Sequence, residues 1–250
     1  EEMKGVRHHL LDVVEPDKRF SVTDWVRRAK EIIDATPDSK PVIIVGGTGF
    51  YIDSLLHNES FPDVPHNEEL QKSLSGKSPT ELLSMLEEID PDRAQAVDRG
   101  NSRRIIRAIE IAQALGSVPP ISRTQNPNSN ILKIGILPDD ETIKQRIHDR
   151  LLARIDAGMV QEAVRLHSPK PNGVDLSFER MNELGLEYRY LAKLLQNKLT
   201  LDSFKKILET KIWQYARRQK TWFKRDKSIH WLDSANFVKA VSIIENFLQK

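Results

Sequence analysis

The sequence contains no cysteine, no long apolar run and little net charge, and each absence excludes a class of protein. Without cysteine, the 250-residue chain has neither a disulfide framework nor a thiolate metal site, which fits a cytoplasmic protein. No apolar stretch approaches the roughly 18 residues of a transmembrane helix, so we expect no membrane partner. The opening residues, EEMKGVRHHL, lack an apolar core, so we also expect no signal peptide.

The net charge of +2 conceals an uneven distribution of basic residues. Residues 205–227, called the basic segment below, contain nine lysines and arginines and two acidic residues, a net charge of +7. The rest of the chain therefore carries −5. A nearly neutral protein with one strongly basic segment is typical of a protein that meets a polyanion on one face.

The first 57 residues have the pattern of an α/β unit. RFSVTDWVRRAKEIIDATPDSK contains Ser21 as a candidate cap, followed by apolar residues at helical spacing. VIIV (residues 42–45) predicts a buried strand, two glycines follow it, and FYIDSLL begins a helix. This order predicts an α/β fold with a parallel sheet, in which ligands lie at the carboxyl ends of the strands.

The remaining chain predicts a helical insertion and a return to the core. Residues 58–130 contain helical segments punctuated by proline and glycine, without a convincing strand. ILKIGILP (residues 131–138) predicts a strand, one long amphipathic helix follows over residues 139–167, and SIHWLD predicts a closing strand. We therefore divide the chain into a core, residues 1–57 with 131–250, and a helical lobe, residues 58–130.

GGTGFY (residues 46–51) has two interpretations. The glycines could serve only close packing where a strand turns into a helix. Alternatively, the free N–H groups at the helix N-terminus could bind an anion or a substrate oxygen. The segment is not a Walker A loop, because no Gly-Lys-Ser/Thr follows it.

Two arginine clusters also have two interpretations each. Arg103, Arg104 and Arg107 lie within about one turn of a predicted helix, either as a solvated face with Glu110 as a local partner or as phosphate ligands. In RIHDR, Arg146 and Arg150 are four residues apart and share a helix face. They could form surface ion pairs or clamp a diphosphate.

YARRQKTWFKR, within the basic segment, interleaves aromatic rings with five basic residues. Lysine and arginine can neutralise RNA phosphates, while aromatic rings can stack on unpaired bases. The other interpretation is an amphipathic helix with its aromatics in the core. Both can hold together, with Trp222 in the core and Arg217, Arg218 and Lys220 outside.

The order of these motifs resembles that of the tRNA dimethylallyltransferases, also called isopentenyltransferases. The resemblance covers nearly the whole chain and rests on HHLLD, FSV, VGGTGFYIDSLL, RRIIRAIE, RI-x-x-R (here RIHDR), GLEYR, ARRQKTWFKRD and HWLD. It implies a P-loop-NTPase-like core with a mainly helical insertion domain. The implied activity is transfer of a dimethylallyl group from dimethylallyl diphosphate to N6 of the adenosine 3′-adjacent to the anticodon.

The resemblance also implies roles for individual residues. Thr48 matches a threonine beside the reacting groups, and Gly46 and Gly47 lie next to it, at the diphosphate. Arg146 and Arg150 match a diphosphate-contacting helix, in which we favour Arg150 as catalytic. The residues that match tRNA-contacting segments are Arg103, Arg104, Arg107, Gly185, Tyr188, Arg189, Arg217, Arg218, Gln219 and Lys220.

This chain departs from the family pattern at three places. GLEYR is longer than the common GYR, and Trp213 and Gln71 stand where the family often has arginine. These departures put local tRNA contacts in doubt. The family's P-loop and the following aspartate, its expected base, are both absent from the sequence.

The missing P-loop leaves three explanations: the chain is a fragment, its N-terminal part is not included, or it has lost catalysis. We expect the 250 residues alone not to transfer a prenyl group, although weak tRNA binding could remain. The whole enzyme is expected to use Mg²⁺ with the diphosphate, to bind the tRNA anticodon arm and to be a cytoplasmic monomer. A non-catalytic RNA-binding remnant and a nucleotide-kinase-like enzyme remain the alternatives.

Overall fold

The computed structural model describes residues 5–37, 39–57, 59, 61–121, 130–169, 171, 173–233 and 237–249. The chain divides into two compact units, residues 1–53 with 128–250 and residues 54–127. The borders proposed from the sequence, after residues 57 and 130, differ from this division by four and three residues. The tRNA-binding role given to the helical lobe stays a prediction.

The first unit opens with the predicted helix α1, Val22–Asp34. Ser21 caps it as expected: its hydroxyl accepts the Asp24 N–H, while the Asp24 carboxylate accepts the Ser21 N–H, a reciprocal capping box. Val26 and Ala29 are the buried residues of the helix. Capping chemistry and apolar spacing together were therefore sufficient to predict this element.

The strand predicted at residues 42–45 is not formed. The segment pairs with no neighbour among the described residues, and the exposed fractions of Ile43 and Val45 are 79% and 89%. The apolar run has the composition of a sheet interior, so the predicted burial is wrong here, because a strand exists only when an adjacent strand completes its hydrogen bonds. Helix α2, Gly49–Leu56, then begins where FYIDSLL predicted a helix.

A two-stranded parallel sheet confirms the other two predicted strands. Strand β1, Ile134–Ile136, pairs with β2, His230–Leu232, so that Gly135 lies opposite Trp231. The mixed helical fold with a small parallel sheet is consistent with an α/β class. Just before the two strands, Lys133 Nζ donates to Asp226 Oδ2 at 2.6 Å.

The long helix predicted over residues 139–167 is two helices. Helix α7, Asp140–Asp156, is separated from α8, Met159–His167, by Gly158. Gly158 has a φ of 100°, a left-handed conformation that a glycine adopts at little cost. The apolar spacing continues across the break, which is why the pattern alone indicated a single helix.

After α8, the regular elements among the described residues of the first unit are four helices and β2. Its core brings together Leu151, Met159, Met181, Leu191 and Phe204, each almost completely buried. The helices are α9, Phe178–Leu184; α10, Leu186–Leu195; α11, Leu201–Phe223; and α12, Phe237–Leu248.

The second unit is helical, as the insertion was predicted to be. Helices α4 and α6 pack together, and α5 packs on α4. Leu82, Leu86, Ile105 and Ile109 are fully buried at the centre of this core. Its helices are α3, Glu68–Leu74; α4, Pro79–Ile89; α5, Pro91–Ala96; and α6, Ser102–Leu115. In the part of the chain that the model describes, no helix combines the length and apolarity needed to cross a bilayer.

Candidate functional site

The glycine turn (residues 46–49) lies directly against helix α11. A Cβ on Gly49 would be 2.1 Å from Trp222 Cδ1, and a Cβ on Gly47 would be 2.3 Å from Gln219 Nε2. At Gly46 the nearest atom would be 3.7 Å away, an ordinary contact. The close-packing interpretation therefore holds for Gly47 and Gly49. The proposed diphosphate role of Gly46 and Gly47 stays a prediction.

Thr48 is held at the exposed edge of this contact. Its Oγ1 lies 3.4 Å from the Tyr215 hydroxyl, and both side chains are exposed. The guanidinium of Arg218 lies 5.7 Å from the centroid of the Tyr215 ring. Tyr215, Gln219 and Trp222 are spaced at i, i+4 and i+7, so one face of α11 contacts the turn. The fold thus brings the predicted reacting threonine beside the motif that is predicted to bind RNA.

Arg217 and Lys220, two predicted tRNA contacts, differ in exposure and in their hydrogen bonds within the protein. Arg217 is exposed, whereas Lys220 is half-buried and its Nζ donates to Asp140 Oδ1 at 2.8 Å. This hydrogen bond lowers the pKa of Asp140. The hydrogen bond joins the start of α7 to α11. Lys220 would have to weaken or break it in order to contact a phosphate.

Arg146 and Arg150 lie on α7 with their side chains exposed. Ile147 and Leu151 on the same helix are buried, which fixes the direction in which the arginines project. Within the described ranges, neither guanidinium forms a hydrogen bond or ion pair. Their surface ion-pair interpretation thus has no support here, and their role as a diphosphate clamp stays a prediction.

The GLEYR motif occupies the junction between α9 and α10. Gly185 has a φ of 137°, a conformation that favours glycine, and Arg189 donates to the Asn182 carbonyl. Tyr188 donates to Glu162. Burial and this hydrogen bond raise the pKa of Tyr188 to about 12. Each residue thus has a structural function, and their tRNA contacts stay predictions.

The three arginines predicted on α6 are not equivalent. Arg103 is exposed, and Arg104 forms an exposed ion pair with Asp98 at 3.5 Å. Arg107 instead donates to Glu110 and to the Val64 carbonyl. The local Glu110 partner considered from the sequence is therefore real for Arg107.

Glu110 is buried, and it accepts several hydrogen bonds in the second unit. Arg107 and the Asn67 backbone N–H donate to it, and His66 Nδ1 lies 3.3 Å from Oε2. Burial raises the pKa of Glu110, but these donors outweigh burial and lower it. Gln71, where the family pattern often has arginine, also donates to this carboxylate.

The described residues do not form a protein metal site. No group of three histidine, aspartate or glutamate side chains in the described ranges could hold a metal ion. Mg²⁺ does not require such a group, since it often binds through substrate phosphates and water with one or two carboxylates. The expectation of Mg²⁺ therefore rests on the diphosphate alone, and no ligand set among these residues supports it.

Sequence reasoning did not find two contacts that α11 makes at and just after the glycine turn: Tyr215 with Thr48, and Trp222 with Asp53. Asp53 Oδ2 accepts a hydrogen bond from Trp222 Nε1 at 2.9 Å, and Trp222 is half-buried rather than fully inside the core. Tyr215 was read only as part of an aromatic-basic pattern. The available signal was weak: Gly49 and Asp53 share a helix face at i, i+4, but nothing indicated which residue faces them.

Comparison with known proteins gives a consistent set of relatives. Residues 1–226 match the family model described as IPP transferase. The chain is 36% identical over 235 residues to tRNA dimethylallyltransferase 1 of Geotalea daltonii, covering 92% of this chain and 74% of that protein. It is also similar to two solved structures.

The first is the full-length tRNA isopentenylpyrophosphate transferase of Bacillus halodurans. Its TM-score is 0.65 at 28% identity, covering 99% of this chain and 79% of that one. The second is a eukaryotic dimethylallyltransferase described as acting on tRNA, with a TM-score of 0.73, covering 99% of this chain and 67% of the other. At 20% identity, this second likeness concerns the fold alone.

Proposed function

The chain belongs to the IPP transferase family, and from this premise we propose that it transfers a dimethylallyl group to tRNA. The donor is dimethylallyl diphosphate, and the acceptor is N6 of the adenosine 3′-adjacent to the anticodon. The observation that carries the proposal is the extent of the match: residues 1–226 include every predicted site residue. The activity is therefore that of a prenyltransferase.

The proposed reaction breaks one C–O bond and forms one C–N bond. The diphosphate leaves the allylic carbon with the electron pair of the C–O bond as N6 attacks that carbon, and N6 then loses a proton, for which the family's aspartate is the expected acceptor. Negative charge grows on the departing diphosphate, so cationic donors placed there lower the barrier. Arg150 and Arg146 are proposed to donate to that diphosphate, and Thr48 to orient the reacting groups. Mg²⁺, when bound with the diphosphate, supplies further positive charge.

The exposed arginines of α11 are proposed to hold the anticodon arm. Arg218 lies over the ring of Tyr215, whose hydroxyl approaches Thr48, and Arg217 is its exposed neighbour on the same helix. One helix can therefore place RNA phosphates near the reacting groups. The target adenine must leave its stack to reach the electrophile. Arg103 and Arg104, exposed in the second unit, are proposed as additional phosphate contacts.

The finer features of the fold belong to the same proposal. We infer that the core is P-loop-NTPase-like, and the family membership and the small parallel sheet support this inference. We propose a cytoplasmic monomer that binds no membrane; the lack of cysteine and of an apolar run of membrane-spanning length fits the proposed location and says nothing of the oligomeric state.

A direct assay tests the proposed function. The full-length gene product is incubated with an anticodon stem-loop, dimethylallyl diphosphate and Mg²⁺, and the RNA is analysed by mass spectrometry. We expect one dimethylallyl group on the adenosine 3′ to the anticodon. A stem-loop with inosine at that position lacks N6 and should remain unmodified.

Three results would contradict the proposal. The first is a stem-loop without added mass under conditions in which the protein binds it, which would favour a non-catalytic RNA-binding protein. The second is phosphate transfer from ATP to a nucleotide, which would favour a kinase. The third is modification of the inosine control, which would place the alkylated atom elsewhere.

A further inference from the structure

Trp222 of α11 contacts α2 at two points, in its first turn and at the start of its second. Its ring packs on Gly49 so closely that no side chain fits there, and its Nε1 donates to Asp53 Oδ2 at 2.9 Å. Gly49 and Asp53 are four residues apart, so they lie on the same face of α2. One flat side chain thus determines both how near α2 lies to α11 and how α2 is rotated about its axis.

The backbone of Thr48 is tied to that same helical turn. The Thr48 carbonyl accepts the Tyr51 N–H at 3.1 Å and the Ile52 N–H at 3.4 Å. A rotation of the first turn of α2 therefore moves Thr48. Among the described residues, the hydrogen-bond partner of the Thr48 side chain is the exposed Tyr215 hydroxyl, and this long 3.4 Å approach is a weak restraint by itself.

The indole is itself held in place. The guanidinium of Arg225 lies over the Trp222 ring at 4.0 Å from its centroid. A guanidinium over an aromatic face is attracted by the ring and covers it from solvent. Trp222 can therefore act as a fixed support rather than as a mobile surface side chain.

We propose that Trp222 and Asp53 are positioning residues, which orient Thr48 through the first turn of α2. This inference rests on the proposed function, since Thr48 is the residue proposed to orient the reacting groups. Neither Trp222 nor Asp53 needs to touch a substrate. Their hydrogen bond sets the direction of the Thr48 hydroxyl, and a displacement of about 1 Å near a reacting group can cost about 100-fold in rate.

The variants separate positioning from simple packing. Trp222→Phe keeps an aromatic ring and removes the N–H donor, and Asp53→Ala removes the acceptor. Asp53→Asn keeps an oxygen that can accept the same hydrogen bond, so it should behave like the wild type. Trp213→Phe, on the same helix, is the matched control for the loss of an indole.

The first measurement does not depend on activity. Hydrogen exchange of the Tyr51 and Ile52 amides is followed in the full-length gene product under native conditions. We expect exchange about tenfold faster in Trp222→Phe and Asp53→Ala, but unchanged in Asp53→Asn and Trp213→Phe. Unchanged exchange in Trp222→Phe, or equal acceleration in Trp213→Phe, would overturn the proposal.

The second measurement is single-turnover transfer in the full-length gene product at saturating substrates. Trp222→Phe and Asp53→Ala should each lower the rate about 10- to 100-fold, with KM for the diphosphate unchanged. The double variant should be no slower than either single one, because both remove one interaction. A strictly multiplicative loss, or Asp53→Asn as slow as Asp53→Ala, would overturn the positioning role.

Failure of the proposed function gives a different result. A wild-type protein that transfers nothing contradicts the proposed reaction, while the exchange measurement still decides whether Trp222 and Asp53 fix the turn. Wild-type transfer with full activity in Trp222→Phe contradicts only the positioning proposal. The two inferences can therefore fail separately.

Discussion

The Thr48 Oγ1 and the Tyr215 hydroxyl lie 3.4 Å apart, although 167 positions separate them in the sequence. One hydroxyl belongs to the glycine turn and the other to the helix that carries the basic segment. The proposed chemical centre and the proposed RNA contact thus meet at these two residues. This meeting gives the predictions below their physical basis.

Thr48→Ala should lower the rate of transfer in the full-length gene product by about 100-fold, since one positioned hydrogen bond to a transition state is typically worth about that much. The exposed Thr48 side chain supports no core contact, so the fold should be unaffected. Single-turnover transfer to an anticodon stem-loop measures the effect, and Thr48→Ser, which keeps the hydroxyl, is the control. A rate within about threefold of the wild type would remove Thr48 from the site.

Arg217→Ala combined with Arg218→Ala should weaken tRNA binding without abolishing the binding of a small diphosphate. If each arginine neutralises about one phosphate, the slope of log K against log salt flattens by up to about 1.5 units. Titration of the stem-loop at several salt concentrations measures the slope. The matched control is Arg27→Ala with Arg28→Ala, an adjacent pair on α1. An unchanged slope in the α11 variant would show that its arginines do not contact phosphates.

Gly49→Ala should destabilise the protein by about 1–3 kcal/mol, because the new methyl group would overlap the rigid indole of Trp222. Gly47→Ala meets only the end of the flexible Gln219 side chain, so its effect should be smaller. Gly46→Ala is the matched control, with no close neighbour. The measurement is the free energy of unfolding in urea. Equal free energies for all three variants would contradict the packing described for the turn.

The ion pair of Lys133 and Asp226 should make stability dependent on pH in the acid range. Burial raises the pKa of Asp226, but hydrogen bonds from Lys133 and Ser228 outweigh burial and lower it to about 2. Since this pKa lies below its unfolded value of about 4, the stabilisation is complete above pH 4 and is lost as the pH falls towards 2.

Asp226→Asn tests this dependence. The variant should be less stable than the wild type at pH 7 by on the order of 1 kcal/mol, with the difference shrinking between pH 4 and pH 2. Unfolding in urea at each pH measures it, and Asp63→Asn, an exposed residue, is the control. A difference that stays constant down to pH 2 would show that Asp226 does not act through its charge.

The local sequence was sufficient to predict several elements and the family. Ser21 and Asp24 form the expected reciprocal cap of α1, because a capping box depends only on residues three apart. The strands at Ile134–Ile136 and His230–Leu232 were readable from their apolar runs. The order of the motifs identified the family, because this order is read directly from the sequence and does not depend on how distant segments pack.

Local patterns were misleading where a distant or conformational factor decided the outcome. Residues 42–45 have the composition of a buried strand, yet no described strand pairs with them, and composition cannot supply a partner. The apolar spacing runs through Gly158, but the left-handed conformation of this residue ends α7. Apolar spacing shows which face of a helix is buried, but it does not show whether the backbone stays helical.

The sequence by itself determined the kinds of residue available: a threonine among glycines, paired arginines and a basic helix with aromatic rings. Only the tertiary structure decided that Thr48 lies beside Tyr215, that Trp222 donates to Asp53 and that Arg107 donates to the Val64 carbonyl. The physical reason is the range of the interactions. Helix caps and apolar spacing act over three or four residues, whereas these contacts depend on where packing places segments that are distant in the sequence.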